Sequence, residues 1–167
     1  TEPYLFSSIY PSVSDIPNDS TVTIPSFDLE PVTNSFSFND FSEAAFNSGS
    51  LSITIINNLV IPLGDVDVKL KKADGSDITG GTTTIQGPIN SNSQQSALLD
   101  LSGLTLPGNI IVEVTGSSPG EANVLINEAA KISSFSVEIS GSGLEVTSAN
   151  AKIPAQTISE SSSISLA

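Results

Sequence analysis

The chain has 167 residues, 38% of them hydrophobic, with no Cys, Met, Trp or His, and it carries 18 acidic against 5 basic side chains for a formal net charge of -13. That length suits one domain with a real core. All the basic residues are lysines, and an acidic surface without Arg repels phosphate backbones, so no nucleic-acid partner is expected. No apolar run approaches the roughly 18 residues of a membrane helix, so no membrane insertion is expected either. With Met absent and Thr1 in first place, a processed product or a piece of something longer is expected.

Residues 1–32 read as an extended N-terminal segment. Pro3, Pro11, Pro17, Pro25 and Pro31 are spaced too closely for a helix and too regularly for a central strand. Tyr4, Leu5, Phe6, Ile9 and Tyr10 give its beginning an apolar character, so residues 4–10 are predicted to be ordered by packing. Their support is either this domain's own sheets or a second copy, which leaves self-association through the segment open.

From residue 33 to 167 a β-domain is expected, because the period of the apolar residues becomes two. Phe36 and Phe38 alternate with Ser35, Ser37 and Asn39, and Leu51, Ile53 and Ile55 alternate with Ser50, Ser52 and Thr54. Val66, Val68 and Leu70 sit between Asp65, Asp67, Lys69 and Lys71. Ala73-Asp74-Gly75-Ser76 then supplies a turn, and Ile78 with Thr82-Thr83-Thr84-Ile85 reads as the return strand of a hairpin. Ala97, Leu99 and Leu101 share one parity, Leu106-Pro107-Gly108-Asn109 makes a turn, and Ile110, Val112 and Val114 share the next inward set. After Pro119-Gly120 come Val124 and Ile126, then Phe135, Val137 and Ile139, then Leu144 and Val146, and finally Ile158, Ile164 and Leu166.

Helix signals are short. Ser42-Glu43-Ala44-Ala45 and Asn127-Glu128-Ala129-Ala130 each offer a capping residue and one turn of helix formers, too little to propagate. Each precedes a similar strand, Leu51–Ile55 in one case and Phe135–Ile139 in the other, an order that suggests a duplicated unit. Short strands divided by Gly, Pro and Asn turns indicate an all-β, antiparallel sandwich of immunoglobulin-like or fibronectin-like type, with helix below about 20% of residues.

Catalysis is disfavoured by composition, and no catalytic residue is assigned. There is no His to act as a base, no Cys nucleophile and no Arg to stabilise an oxyanion. The remaining chemistry is oxygen ligation of Ca²⁺, a possible cofactor, by loop carboxylates, with Asp74 and Asp77 in the hairpin turn and Asp15 and Asp19 in the N-terminal segment as the candidate ligands. Asp74-Gly75 also reads simply as a turn. Sugar stacking is disfavoured, because the tyrosines are Tyr4 and Tyr10 alone; a polar site built from Asn, Asp and Ca²⁺ stays open. Asn18-Asp19-Ser20 is a glycosylation sequon, which matters only in a eukaryotic secretory setting.

One stretch carries a family likeness. The order Leu51-Ser52-Ile53-Thr54-Ile55-Ile56-Asn57-Asn58, Ile61-Pro62-Leu63, Val66-Asp67-Val68-Lys69-Leu70 and Ile78-Thr79-Gly80-Gly81, within residues 49–115, resembles the WHy-type, group 2 late embryogenesis abundant β-sandwich. Asn58 stands where that family has Pro. The resemblance implies an immunoglobulin-like sandwich and does not by itself carry a function.

These readings converge on a non-catalytic structural, spacer or adhesive module of a larger bacterial cell-surface or secreted protein, whose partners are protein or polysaccharide at the cell surface. Two rivals stand beside it. One is a Ca²⁺-assisted polysaccharide- or ligand-binding module, and the other is a subunit that polymerises by strand addition.

Overall fold

The structure is a computed structural model that describes residues 3–39 and 41–151. Its elements in chain order are β1 (Tyr4–Leu5), α1 (Phe6–Ile9), a 3-10 turn (Pro11–Asp15), β2 (Ser20–Ile24), β3 (Phe27–Asp28), β4 (Val32–Ser37), β5 (Phe41–Asn57) and β6 (Val66–Lys72). There follow β7 (Asp77–Ile85), β8 (Ser93–Asp100), β9 (Thr105–Pro107), β10 (Asn109–Ser118), β11 (Glu121–Ile126), α2 (Glu128–Lys131) and β12 (Ser134–Ala151). Strands hold 64% of the described residues and helices 9%, as an all-β sandwich requires.

Two five-stranded antiparallel sheets form the layers. One runs β1-β12-β5-β8, with β9 also on β5; the other runs β3-β10-β6-β7, with β4 also on β10; β2 and β11 make a separate ribbon. The long β5 serves two neighbours on one side, β8 through Ser50–Asn57 and β9 through Glu43–Ala45, while β12 lies along its other side. The two similar segments noted above are direct partners, with Val137 opposite Ile55 and Ile139 opposite Ile53.

Period-two alternation explains the packing. Val66, Val68 and Leu70 are buried on β6 while Lys69 and Lys71 point out; Ile110, Val112 and Val114 do the same on β10, and Leu51, Ile53 and Ile55 on β5. With Phe135 and Val137 from β12 they enter one continuous core shared by both sheets. Phe36, Phe38 and Ile139, expected inside, are only half-buried and pack against its border. Phe36, Phe38, Phe41 and Phe46 form a chain of rings there, with successive centroids 5.2, 4.9 and 6.1 Å apart.

The hairpin turn forms as expected. Gly75 takes φ +85°, where an L side chain is strained, and its N–H donates to the Lys72 oxygen at 2.9 Å. The Leu106-Pro107-Gly108-Asn109 turn does something different: β9 belongs to one sheet and β10 to the other, so the chain switches layers at Gly108. A Cβ there would stand 2.3 Å from the Phe41 oxygen, which only glycine avoids.

Two expectations need correction. The prolines do not keep the N-terminal segment clear of helix: Phe6–Ile9 is one α-turn and Pro11–Asp15 one 3-10 turn. Pro11 opens its turn, where the missing N–H has no helical partner to lose. Ser42-Glu43-Ala44-Ala45 is strand, because β9 and β12 bond it on both sides and Ala44 is buried between them. Asn127-Glu128-Ala129-Ala130 does form its helical turn, capped by Asn127 Oδ1, which accepts the Ala130 N–H at 2.8 Å. Ile158, Ile164 and Leu166 lie outside the described residues.

Residues 3–31 are thus woven into the sandwich. Tyr4 and Leu5 pair with Phe135 and Ser134, β2 pairs with β11, and β3 pairs with the end of β10. Tyr4, Phe6, Ile9 and Val13 are buried. The Tyr4 ring lies 5.0 Å from that of Phe135, and Tyr10 bridges Phe6 at 6.0 Å and Phe27 at 4.5 Å.

Candidate functional site

Asp74 and Asp77 bracket the turn between β6 and β7, and each is engaged by its own surroundings. Asp74 Oδ1 accepts the Ser76 hydroxyl at 2.6 Å and the Ser76 N–H at 2.9 Å. The hydroxyl first and then the N–H hold its carboxyl below the usual aspartate range, with the Lys72 charge adding to them and desolvation opposing. Asp77 faces Lys69 at 3.7 Å and Lys71 at 3.9 Å. Lys71 in turn reaches Glu113 on β10 at 2.9 Å, and that hydrogen bond raises the Lys71 ammonium above its ordinary pKa.

Asp15 ends the 3-10 turn and Asp19 stands just before β2, both exposed. Asp19 has φ +61°, and its N–H donates to the Ile126 oxygen at 2.7 Å. Asn18 Nδ2 beside it donates to Glu128 Oε1. Among the described residues no group of three or more His, Cys, Asp or Glu side chains comes together to hold a metal, so Asp15, Asp19, Asp74 and Asp77 are not gathered into one such site.

The sequence reading missed two features. The Asp74-x-Ser76 arrangement recurs at the end of β8, where Asp100 Oδ1 accepts the Ser102 N–H at 2.9 Å and its hydroxyl at 2.7 Å, so this carboxyl too is held low. The shared Asp-x-Ser spacing was the available signal. The second feature is Asn57, fully buried, which continues the inward parity of Leu51, Ile53 and Ile55. Its Nδ2 donates to the main-chain oxygens of Ile61, Ile89 and Asn90 at 3.0, 2.9 and 3.2 Å, and its Oδ1 accepts the Leu59 N–H at 3.0 Å. A polar side chain at an inward position must find such partners. Ser118, also buried, donates to the Pro62 oxygen at 2.6 Å and accepts the Gly120 N–H at 3.1 Å.

The surface carries open depressions. One of about 610 Å³ beside β11 is lined by Asn58, Asn123, Asn127, Val60 and Leu125, with Glu121 as its titratable group. Another of about 430 Å³, lined in part by Phe27, Asp28 and Ser117, lies where β3 meets β10. Among the described residues no helix is long and apolar enough to cross a membrane. Compared with known proteins, the chain matches no family model and no curated protein.

Proposed function

We propose that this chain is a non-catalytic structural module, a spacer or adhesive unit, of a larger bacterial cell-surface or secreted protein that meets protein or polysaccharide there. The observation that carries this reading is what the acidic side chains do. Asp74 and Asp100 each tie a turn through a serine two residues on, Asp65 Oδ1 accepts the Gly87 N–H at 2.8 Å, and Asp67 accepts the Thr84 hydroxyl. Carboxylates spent on turns and on neighbouring strands serve to hold the scaffold. A chain without His, Cys or Arg supplies few other groups for proton or acyl transfer.

An immunoglobulin-like sandwich akin to the WHy type belongs to the same proposal. It is supported by β5 ending at Asn57, by the buried apolar crossover through Leu59, Ile61 and Leu63, and by the β6–β7 hairpin that follows. Brief protease treatment of intact producing cells tests the location. Peptides of this chain should be released without lysis, and recovery only from the lysed interior would overturn the reading.

A second reading, association by strand addition, has one observation in its favour: among the described residues, no strand pairs with the outer side of β12 beyond β1.

A further inference from the structure

We infer that the depression of about 610 Å³ beside β11 binds a neutral, hydroxyl-rich saccharide through the side-chain amides of Asn58, Asn123 and Asn127. The inference rests on the proposed contact with polysaccharide and names the site that makes it.

Three separate elements bring these amides together. Asn58 follows β5, Asn123 lies in β11 and Asn127 caps α2, yet all three line one depression with Val60 and Leu125. The backbone under each is fixed. The Asn58 N–H donates to the Ser134 oxygen at 3.0 Å, and Asn127 Oδ1 accepts the Ala130 N–H at 2.8 Å. Asn123 takes φ +56° inside the irregular step of β11 between Glu121 and Val124, and such a bulge re-aims a side chain. The neighbouring Asn57 amide is saturated by its own loops. Among the described residues, by contrast, the side chains of Asn58 and Asn123 have no hydrogen-bond partner, and Asn127 uses only its oxygen.

The chemistry of the lining selects the ligand. An amide both donates and accepts, as a hydroxyl does, so three amides match the mixed hydrogen bonding of the hydroxyls on a sugar ring. Val60 and Leu125, the latter 50% exposed, offer an apolar floor to the C–H face of that ring. Glu121 accepts further hydroxyls and repels an anionic ligand, with no lysine in the lining to offset it. Among the described residues no aromatic ring lines the depression, so a nucleobase or other flat ligand finds nothing to stack on. Convergent polar groups over an apolar floor, in a volume of this order, are the make-up of a small-ligand site.

The test is an NMR titration of the isotope-labelled full chain with neutral hexaoses of cellulose, starch and chitin at millimolar concentration, beside a hexaose of galacturonic acid. At least one neutral hexaose should shift the side-chain amide signals of Asn58, Asn123 and Asn127, and the acidic one should bind more weakly. Asn58→Ala combined with Asn123→Gly, glycine keeping the positive φ, should weaken the neutral hexaose about tenfold with the melting temperature retained. Glu121→Gln should strengthen the acidic hexaose, and it is the variant read if the pair fails to fold. The inference is overturned by neutral hexaoses that leave the three amides unmoved, by equal binding of the acidic one, or by a double variant that binds as before. No gain of the acidic hexaose in Glu121→Gln, or shifts produced by a tryptic casein digest alone, overturn it as well. Release from intact cells is read separately from the titration, so either proposal can fail alone.

Discussion

The side-chain nitrogen of Asn57 lies 2.9 Å from the main-chain oxygen of Ile89, joining the end of β5 to a loop 32 residues further along the chain. With its bonds to Ile61, Asn90 and Leu59, this one amide satisfies the polar groups of two loops inside the apolar core.

Replacing it should therefore be costly. Asn57→Ala strips partners from several buried main-chain groups, each worth about 1 to 3 kcal/mol when left unsatisfied. The expected loss is about 2 to 3 kcal/mol, measured by urea unfolding. Asn57→Asp should be no rescue, since a buried carboxylate cannot donate to three carbonyl oxygens. A loss below about 0.5 kcal/mol for Asn57→Ala, the level of an ordinary surface substitution, would remove Asn57 from this role.

The acid side of the stability profile should depend on Asp74 and Asp100. Both carboxyls are held low, Asp74 mainly by the Ser76 hydroxyl and Asp100 mainly by the Ser102 N–H. A group depressed in the folded state adds stability above its unfolded pKa of about 3.9, and that stability is lost as pH falls through the folded value. Carboxyl NMR titration should find both below the ordinary aspartate range. Ser76→Ala and Ser102→Ala should each move its own partner upward. Lys71 behaves with the opposite sense: raised by Glu113, its contribution is complete below about pH 10.4 and fades as pH climbs through the folded value.

The helical turn of α2 should depend on its cap. Asn127→Ala removes the oxygen that accepts the Ala130 N–H and should cost about 1 kcal/mol, while Asn127→Ser should keep most of it. Thermal unfolding of the pair decides the matter, and equal melting temperatures for the two variants would contradict it.

Alternation made the strands legible. Sets of apolar residues that kept one parity, such as Val66, Val68 and Leu70 or Ile110, Val112 and Val114, are buried together, while Ala97 and Ile139, each at the end of such a set, stay half-buried. Local signals misled where tertiary bonding outweighed them. Ser42-Glu43-Ala44-Ala45 and Asn127-Glu128-Ala129-Ala130 look alike in sequence, but strands flank the first on both sides while the second stands between β11 and β12 with its cap satisfied. The layer switch at Gly108 was read as an ordinary turn because nothing local distinguishes a hairpin from a crossing between sheets. Among the candidate ligands, Asp74 was legible as a turn residue, but the lysines facing Asp77 come from β6 across the hairpin, a relationship set by register.

The central claim is that the proline-rich beginning of the chain completes the sandwich. Phe6, Ile9 and Tyr4 are buried, and the Phe6 N–H donates to the Ser133 oxygen at 2.8 Å, so Phe6→Ala alone should cost about 3 to 5 kcal/mol. The most direct measurement is the melting temperature of the chain lacking residues 1–10 beside that of the full chain, with the mass of each taken at the same concentration. The account predicts a fall on the order of 10 °C or more with no change in mass. An unchanged melting temperature, or a larger species that turns into monomer on deletion, would contradict it.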